Sequence, residues 1–287
     1  MFFCIKARII VLLMILFFLS VFFFGLVVGS FLNVVILRYN TGKSFIGGRS
    51  YCFSCGHNLK WFELLPLVSF IFLKGRCSHC KTRISWQYPL VEFLTGFVFC
   101  SILFLSLKVG VFIVPISILF DLMVWAVLIA SCVYDLRHMI IPDAFSLLFV
   151  LLVVSKYLVL INLGIISVGF FYSLFISGCV LFLLFFFLWV VSSGRWIGLG
   201  DVKLVFGLGL YLGLPQGFSA LAFAFWSGAL YAVGRLFLQK YASNQLSANQ
   251  KTVTMKSEVP FGPFLVLGTF LAYLLSADIF HISTFFL

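Results

Sequence analysis

Charge is scarce in this 287-residue chain, and acidic charge most of all. Only 9% of the residues are charged, and Asp and Glu together number 8. An ordinary soluble domain is about 25% charged and about 45–50% apolar. Here 63% of the residues are hydrophobic and 19% aromatic, and the mean hydropathy is +1.22. Neither a water-soluble globule nor a disordered chain has this composition. Histidine is sparse too, at 4 residues. Only His138 lies near other candidate chemistry, so a Ser–His or Cys–His nucleophile has little support. There is no His-Glu-x-x-His helix for a zinc protease, no P-loop, and no Gly-x-Gly-x-x-Gly opening a βα unit. The formal net charge of +11 could suit a nucleic-acid binder, but such a protein would not have so few polar residues. Nucleic acid is therefore not expected as a partner. In a membrane protein the same imbalance follows from Lys and Arg collecting in cytoplasmic loops.

Long apolar runs are abundant. A helix needs about 20 mostly apolar residues to cross a bilayer. Candidates are Ile9–Leu37, Leu90–Leu107, Phe112–Val133, Ala144–Ile161, Ile165–Val191, Phe218–Leu238 and Phe261–Ser276. A shorter, Gly-rich stretch, Val202–Leu214, crosses only if tilted or sheltered by protein. The expected fold is an all-α polytopic membrane protein of about eight transmembrane helices with a small cytoplasmic insert. No internal repeat stands out. The opening Lys6–Arg8 pair precedes an apolar run longer than the roughly 7–15 residues of a signal-peptide core, so a span is expected there.

Two polar segments interrupt the pattern, Arg38–Pro89 and Gln239–Val259. With eight spans and the first segment in the cytoplasm, 15 of the 19 Lys and Arg lie inside, leaving Lys6, Arg8, Lys108 and Lys156 outside. That split favours both termini outside. The resulting division is 1–37 as a first span, 38–89 as a cytoplasmic domain and 90–287 as a multi-span domain.

The first polar segment carries Cys52-Phe53-Ser54-Cys55 and Cys77-Ser78-His79-Cys80, two C-x-x-C pairs separated by 21 residues. This is the spacing of a zinc ribbon, in which two knuckles complete a tetrahedron of thiolates. Gly56 and Gly75 would permit the tight turns, and His57 and His79 are spare ligands. The competing reading is disulfides, which are rare in the cytoplasm to which the basic loop points. A segment of this size cannot hold itself with an apolar core alone, so the metal would be structural. Cys4, Cys100, Cys132 and Cys179 sit singly in apolar runs and read as small core residues.

Each acid in or beside a span is a functional candidate. Glu63 and Glu258 lie in polar loops and are expected to be solvated, and Asp278 to be interfacial. Asp201 stands in Gly198-Leu199-Gly200-Asp201-Val202-Lys203, where the glycines permit close approach of another segment. Its bland alternative is a helix cap, and both can hold. Asp135 ends the third span, with Arg137 or His138 as ordinary ion partners. Asp143 follows Pro142 and suits a helix start. Asp121 lies 14 residues before Asp135, about 21 Å along the helix. It suits pairing with Lys108 or Lys156 better than catalysis. Glu92 opens the second span and suits organising its edge. Two carboxylates held close on different helices cannot both ionise. The ionised one can activate water while the protonated one polarises a peptide carbonyl, which is aspartic-protease chemistry.

These residues resemble the type IV prepilin peptidases, membrane aspartic proteases that share a Gly-x-Gly-Asp element with presenilin-like enzymes. The likeness rests on five motifs in the family's order. They are Gly29-Ser30-Phe31-Leu32-Asn33, the four-cysteine segment with its exit Tyr88-Pro89-Leu90-Val91-Glu92, Asp135-Leu136-Arg137 through Pro142-Asp143, Gly198 through Lys203, and Pro260-Phe261-Gly262-Pro263-Phe264. The resemblance implies Asp135 and Asp201 as the catalytic pair, with Gly198, Gly200, Lys203, Pro142 and Asp143 in support. It implies Zn²⁺ on Cys52, Cys55, Cys77 and Cys80. It also implies a bacterial inner-membrane enzyme whose zinc domain and site face the cytoplasm. The implied substrates are type IV prepilins or type II secretion pseudopilins, cut after a Gly, with N-methylation of the new terminus by S-adenosylmethionine. Phe53 and the run Glu63-Leu64-Leu65-Pro66 depart from the family pattern. Two other classes compete. One is a proton-coupled transporter using the acids as a relay, although no matching halves with broken helices are visible. The other is a non-catalytic scaffold with a zinc module.

Overall fold

The computed structural model describes residues 2–109, 115–242 and 259–280. Lys251, Lys256 and Glu258 lie outside them, and of Cys4, Lys6, Lys108 and Lys240 only the backbone is described. Among the described residues there is no strand. The helices are α1 (Phe2–Arg38), α2 (Val68–Phe72), α3 (Gln87–Val109), α4 (Pro115–His138), α5 (Asp143–Asn162), α6 (Val168–Ser192), α7 (Leu199–Ala242) and α8 (Gly262–Leu275). A 3₁₀ turn, Trp61–Leu64, precedes α2.

Six of these helices are long and apolar enough to cross a membrane, and α8 is apolar but shorter. α7 is two rods in one run. Gly213 has φ 77° and ψ 177°, outside helical space, and Pro215 follows it. Only glycine adopts that backbone without strain, and proline brings no amide hydrogen to continue the ladder. With the break at Gly213, the six helices and α8 make eight apolar rods among the described residues. The rod 199–212 is about 21 Å long by its rise. It is sheltered by protein: a Cβ on Gly209 would lie 2.7 Å from Gly178 Cα in α6.

The chain divides into two compact units, Met1–Ala130 and Ser131–Leu287. In the first, α1 and α3 run antiparallel at backbone contact, since a Cβ on Gly25 would lie 2.6 Å from Gly96 Cα. Such close approach is how helices gain packing energy without a hydrophobic drive. Asn33 Nδ2 donates to Tyr88 O at 3.2 Å and pins the polar end of the pair. Glu92 is buried, accepting the Leu67 amide at 2.8 Å and the Ser30 hydroxyl, so it does organise the edge of its span. In the second unit, α7 packs against α5, α6 and α8 around Phe149, Leu181, Phe185, Leu204, Leu208 and Leu265, all buried. Large apolar side chains such as Leu183, Phe187 and Leu230 are exposed, the face that lipid would cover.

Candidate active site

The four-cysteine segment folds as two copies of one knuckle, as the paired C-x-x-C spacing predicts. In the first, Cys52 N donates to His57 O and Gly56 N to Cys52 O, and Tyr51 bridges to Asn58. In the second, Cys77 N donates to Thr82 O and Lys81 N to Cys77 O, and Arg76 bridges to Arg83. Gly56 takes the left-handed position of its knuckle, with φ 69°. Lys81, not Gly75, takes it in the other, with φ 60°. Gly75 instead closes the turn after α2, donating to Phe70 O.

The four Sγ atoms lie within 4.8 Å of one another, and those of Cys52 and Cys80 are 3.8 Å apart. A Zn–S bond of about 2.3 Å in a tetrahedron separates its sulfurs by about 3.8 Å. All four are free thiols, not disulfides, and the set could hold a metal ion such as zinc. The Thr82 hydroxyl, 3.2 Å from Cys80 Sγ, and the Thr82 amide hold the Cys80 thiol down to about 6. The Cys55 and Ser54 amides lower that of Cys52. Both shifts favour the thiolate a metal requires.

Glu63, expected in solvent, is buried with 2% of its side chain exposed. The 3₁₀ turn folds it back as a capping box, so that Oε2 accepts the Lys60 amide at 2.7 Å. That amide, then the Ser78 hydroxyl, hold its carboxyl below the usual range. His57 Nε2 is 3.7 Å away, and His57 stacks on His79. Glu63 thus ties the two knuckles together. Its partners come from 15 residues downstream and from a neighbouring turn, so local polarity gave no sign of them.

In the second unit, four helix ends meet. Asp135 is in the last turn of α4 and is 4% exposed. Neither of its expected ion partners defines its place. Its Oδ2 accepts the amide of Gly262, in the first turn of α8, at 3.0 Å, while His138 lies against the Tyr134 ring. The first amides of a helix have no partner in their own helix, and here one is given to a carboxylate. Asp201 does the same within its own helix: Oδ2 accepts Gly198 N at 3.2 Å at the start of α7. The capping role is real but uses only one oxygen. Asp201 Oδ1 is buried and has no hydrogen-bond partner among the described residues. Ile141, in the turn between α4 and α5, joins the two sites. A Cβ on Gly200 would lie 3.0 Å from Ile141 Cβ, and one on Gly262 would lie 3.2 Å from Ile141 Cδ1. Asp135 and Asp201 are close enough for their charges to interact.

Asp143 does not cap α5 with its side chain. Pro142 holds the cap position, and Asp143 Oδ1 meets Lys203 Nζ at 2.7 Å, tying the start of α5 to that of α7. Gly262 and Ile141 fall inside two of the motifs, but sequence reasoning gives neither a role at the site. The signal available was a glycine directly before Pro263 at a helix start. Asp121 is buried in the first unit. Lys156 does not reach toward solvent, and its ammonium lies over the rings of Tyr157 and Tyr211. Cys100, Cys132 and Cys179 are half-buried on their helices.

The chain is similar to known proteins over most of its length. Residues 23–106 match the bacterial peptidase A24 N-terminal domain, and residues 122–233 match the type IV leader peptidase family. The prepilin leader peptidase/N-methyltransferase of Bacillus subtilis (strain 168) is 29% identical over 254 residues, 88% of this chain and 92% of that protein. The protein of the same name from Aeromonas salmonicida (strain A449) is 30% identical over 292 residues, 90% and 91% of the two chains. That of Myxococcus xanthus (strain DK1622) is 35% identical over 224 residues, 76% and 63%. No solved structure matches. Nothing in these relatives supports a transporter. Together with the apolar helices, they make this a multi-pass protein of the bacterial inner membrane. With both sequence families matched in order, and with 30% identity carried over 91% of a relative, the chain belongs to the type IV leader peptidase family.

Proposed function

We propose that this protein cleaves the leader of type IV prepilins or type II secretion pseudopilins after a Gly, and that Asp135 and Asp201 carry the reaction. The observation that supports this most strongly is the buried, unpartnered Oδ1 of Asp201 beside an Asp135 anchored by a helix amide. An oxygen left without a donor in a buried site is costly, and a catalytic role accounts for why that cost is kept. In the reaction, the ionised acid of the pair takes a proton from a water. That water's oxygen bonds to the carbonyl carbon of the scissile Gly, and the protonated acid hydrogen-bonds the carbonyl oxygen. The tetrahedral carbon then releases its C–N bond as the acid that took the water's proton passes it to the leaving nitrogen. Gly198, Gly200 and Pro142 shape the backbone around the pair, and the Asp143–Lys203 bridge holds two of its helix starts in register.

The four cysteines bind Zn²⁺ as a structural ion. The fit is the sulfur spacing and the all-thiol donor set. Domain limits of 1–37, 38–89 and 90–287 follow the polar segment between the first two spans. Both the zinc domain and the acid pair face the cytoplasm, on the basic-residue split. N-methylation with S-adenosylmethionine is carried by the family resemblance and by the names of the relatives. The basic cavity beside Cys77 does not suit a sulfonium cation. The deciding experiment is cleavage of a purified prepilin by the purified protein, with Asp201→Asn as the control.

A further inference from the structure

The exposed face of α2 does not suit water. Ile71 is 71% and Phe72 82% exposed, with Trp61 at 76% and Trp86 at 77% nearby in the chain's polar segment. Trp86 sits on α2, its ring 5.0 Å from that of Phe70, and it immediately precedes α3. The depth of α2 is fixed by a hydrogen bond: Leu67 N, just before α2, donates to Glu92 Oε2 at 2.8 Å. Glu92 lies five residues into α3, about 7–8 Å from its start, and helical side chains lean back toward the N-terminus. α2 therefore begins beside the first two turns of a membrane span, not out in solvent.

Next to Phe72 opens a cavity of about 440 Å³ lined by Phe72, Leu73, Lys74, Arg76, Cys77 and Lys81. Lys74, Arg76 and Lys81 line it beside Phe72 and Leu73, with Lys81 Nζ also donating to Ser78 O at 3.0 Å, and no carboxylate is among its lining residues. Aromatic and aliphatic side chains at interface depth, backed by Lys and Arg, are the pattern of a surface that enters the headgroup region of anionic lipid. We propose that α2 and this cavity dock the headgroup of an anionic phospholipid. The phosphate lies among Lys74, Arg76 and Lys81, with Ile71 and Phe72 at the boundary with the acyl chains. The four-cysteine segment is then seated on the leaflet and not only tethered to it. This inference is independent of the proposed peptidase chemistry.

The test is hydrogen exchange of residues 68–74 in the full-length protein, held in nanodiscs of phosphatidylcholine with or without phosphatidylglycerol. Exchange is expected to slow by roughly tenfold in the anionic discs. The Lys74→Gln/Arg76→Gln protein should lose that difference while keeping its metal content. Phe72→Glu, which leaves the cations in place, should also lose it. Equal exchange in the two lipids would overturn the proposal, as would protection that persists in both variants. Equal protection by inorganic phosphate in detergent, without lipid, would also overturn it, because the cavity would then be a free-anion site.

Discussion

Asp135 Oδ2 accepts the amide hydrogen of Gly262 across 127 residues of sequence, at 3.0 Å. A helix N-terminus is an anion site because its first amides are unpaired and the helix dipole points its positive end there. α8 thus supplies the hydrogen-bond donor that positions an acid at the end of α4.

A side chain at residue 262 would crowd that contact. A Cβ at residue 262 would lie 2.7 Å from Asp135 Oδ2. Alanine is otherwise the better helix former, so a purely helical role predicts that Gly262→Ala stabilises the protein. The site predicts the reverse for function. Prepilin cleavage should fall by about tenfold to a hundredfold, as misplacement of a reacting group does. A thermal melt run beside the cleavage assay separates the two effects.

Asp135→Asn and Asp201→Asn should each reduce cleavage by about a hundredfold or more. The wild-type pH profile should be bell-shaped, since one acid must be ionised and the other protonated, and its two limbs belong to the pair. Asp143→Asn should stay within about fivefold of wild type, as expected of an exposed ion pair. Full activity in Asp201→Asn would remove the aspartic-protease reading.

The Asp143–Lys203 bridge is partly solvent-exposed on both sides. A double-mutant cycle with Asp143→Asn and Lys203→Met, read by thermal unfolding, should give a coupling of about 1 kcal/mol or less. A coupling several times larger would mean that the bridge is part of the buried site and not a brace over it.

Purified protein should hold about one zinc per chain, and Cys77→Ser, at the most buried of the four thiols, should release it. Cys100→Ser should leave the metal in place. Metal analysis with thiol titration of fresh protein checks both. Four oxidised cysteines and no metal would refute the zinc assignment.

Epitope tags inserted after Gly42 and after Gly164 should report opposite sides of the membrane, the first cytoplasmic. Both positions open onto free space, so neither insertion meets a side chain. The expectation rests on the basic-residue split. A periplasmic signal from the Gly42 tag would invert the arrangement.

What could be read from the sequence was what local chemistry fixes. Long apolar runs mark helices that lipid can cover, because a backbone in hydrocarbon must satisfy its own hydrogen bonds. The Cys-x-x-Cys spacing marks a metal knuckle, because two thiolates on one turn already set half of a tetrahedron. The acids stood out because charge is costly in a span. The tertiary structure decided matters that depend on distant partners. Glu63 sits in a polar run yet is buried, because Lys60 and Ser78 bring donors to it. The run from Leu199 breaks at Gly213 because φ there is 77°, which hydropathy cannot register. Asp135 is set by Gly262 and Asp201 by Gly198, with Ile141 packed between Gly200 and Gly262. A sequence lists which groups can donate and accept. Which donor reaches which acid is settled only when helix ends far apart in the chain pack to the same point, and that packing decides which oxygen of Asp201 is left without a donor among the described residues.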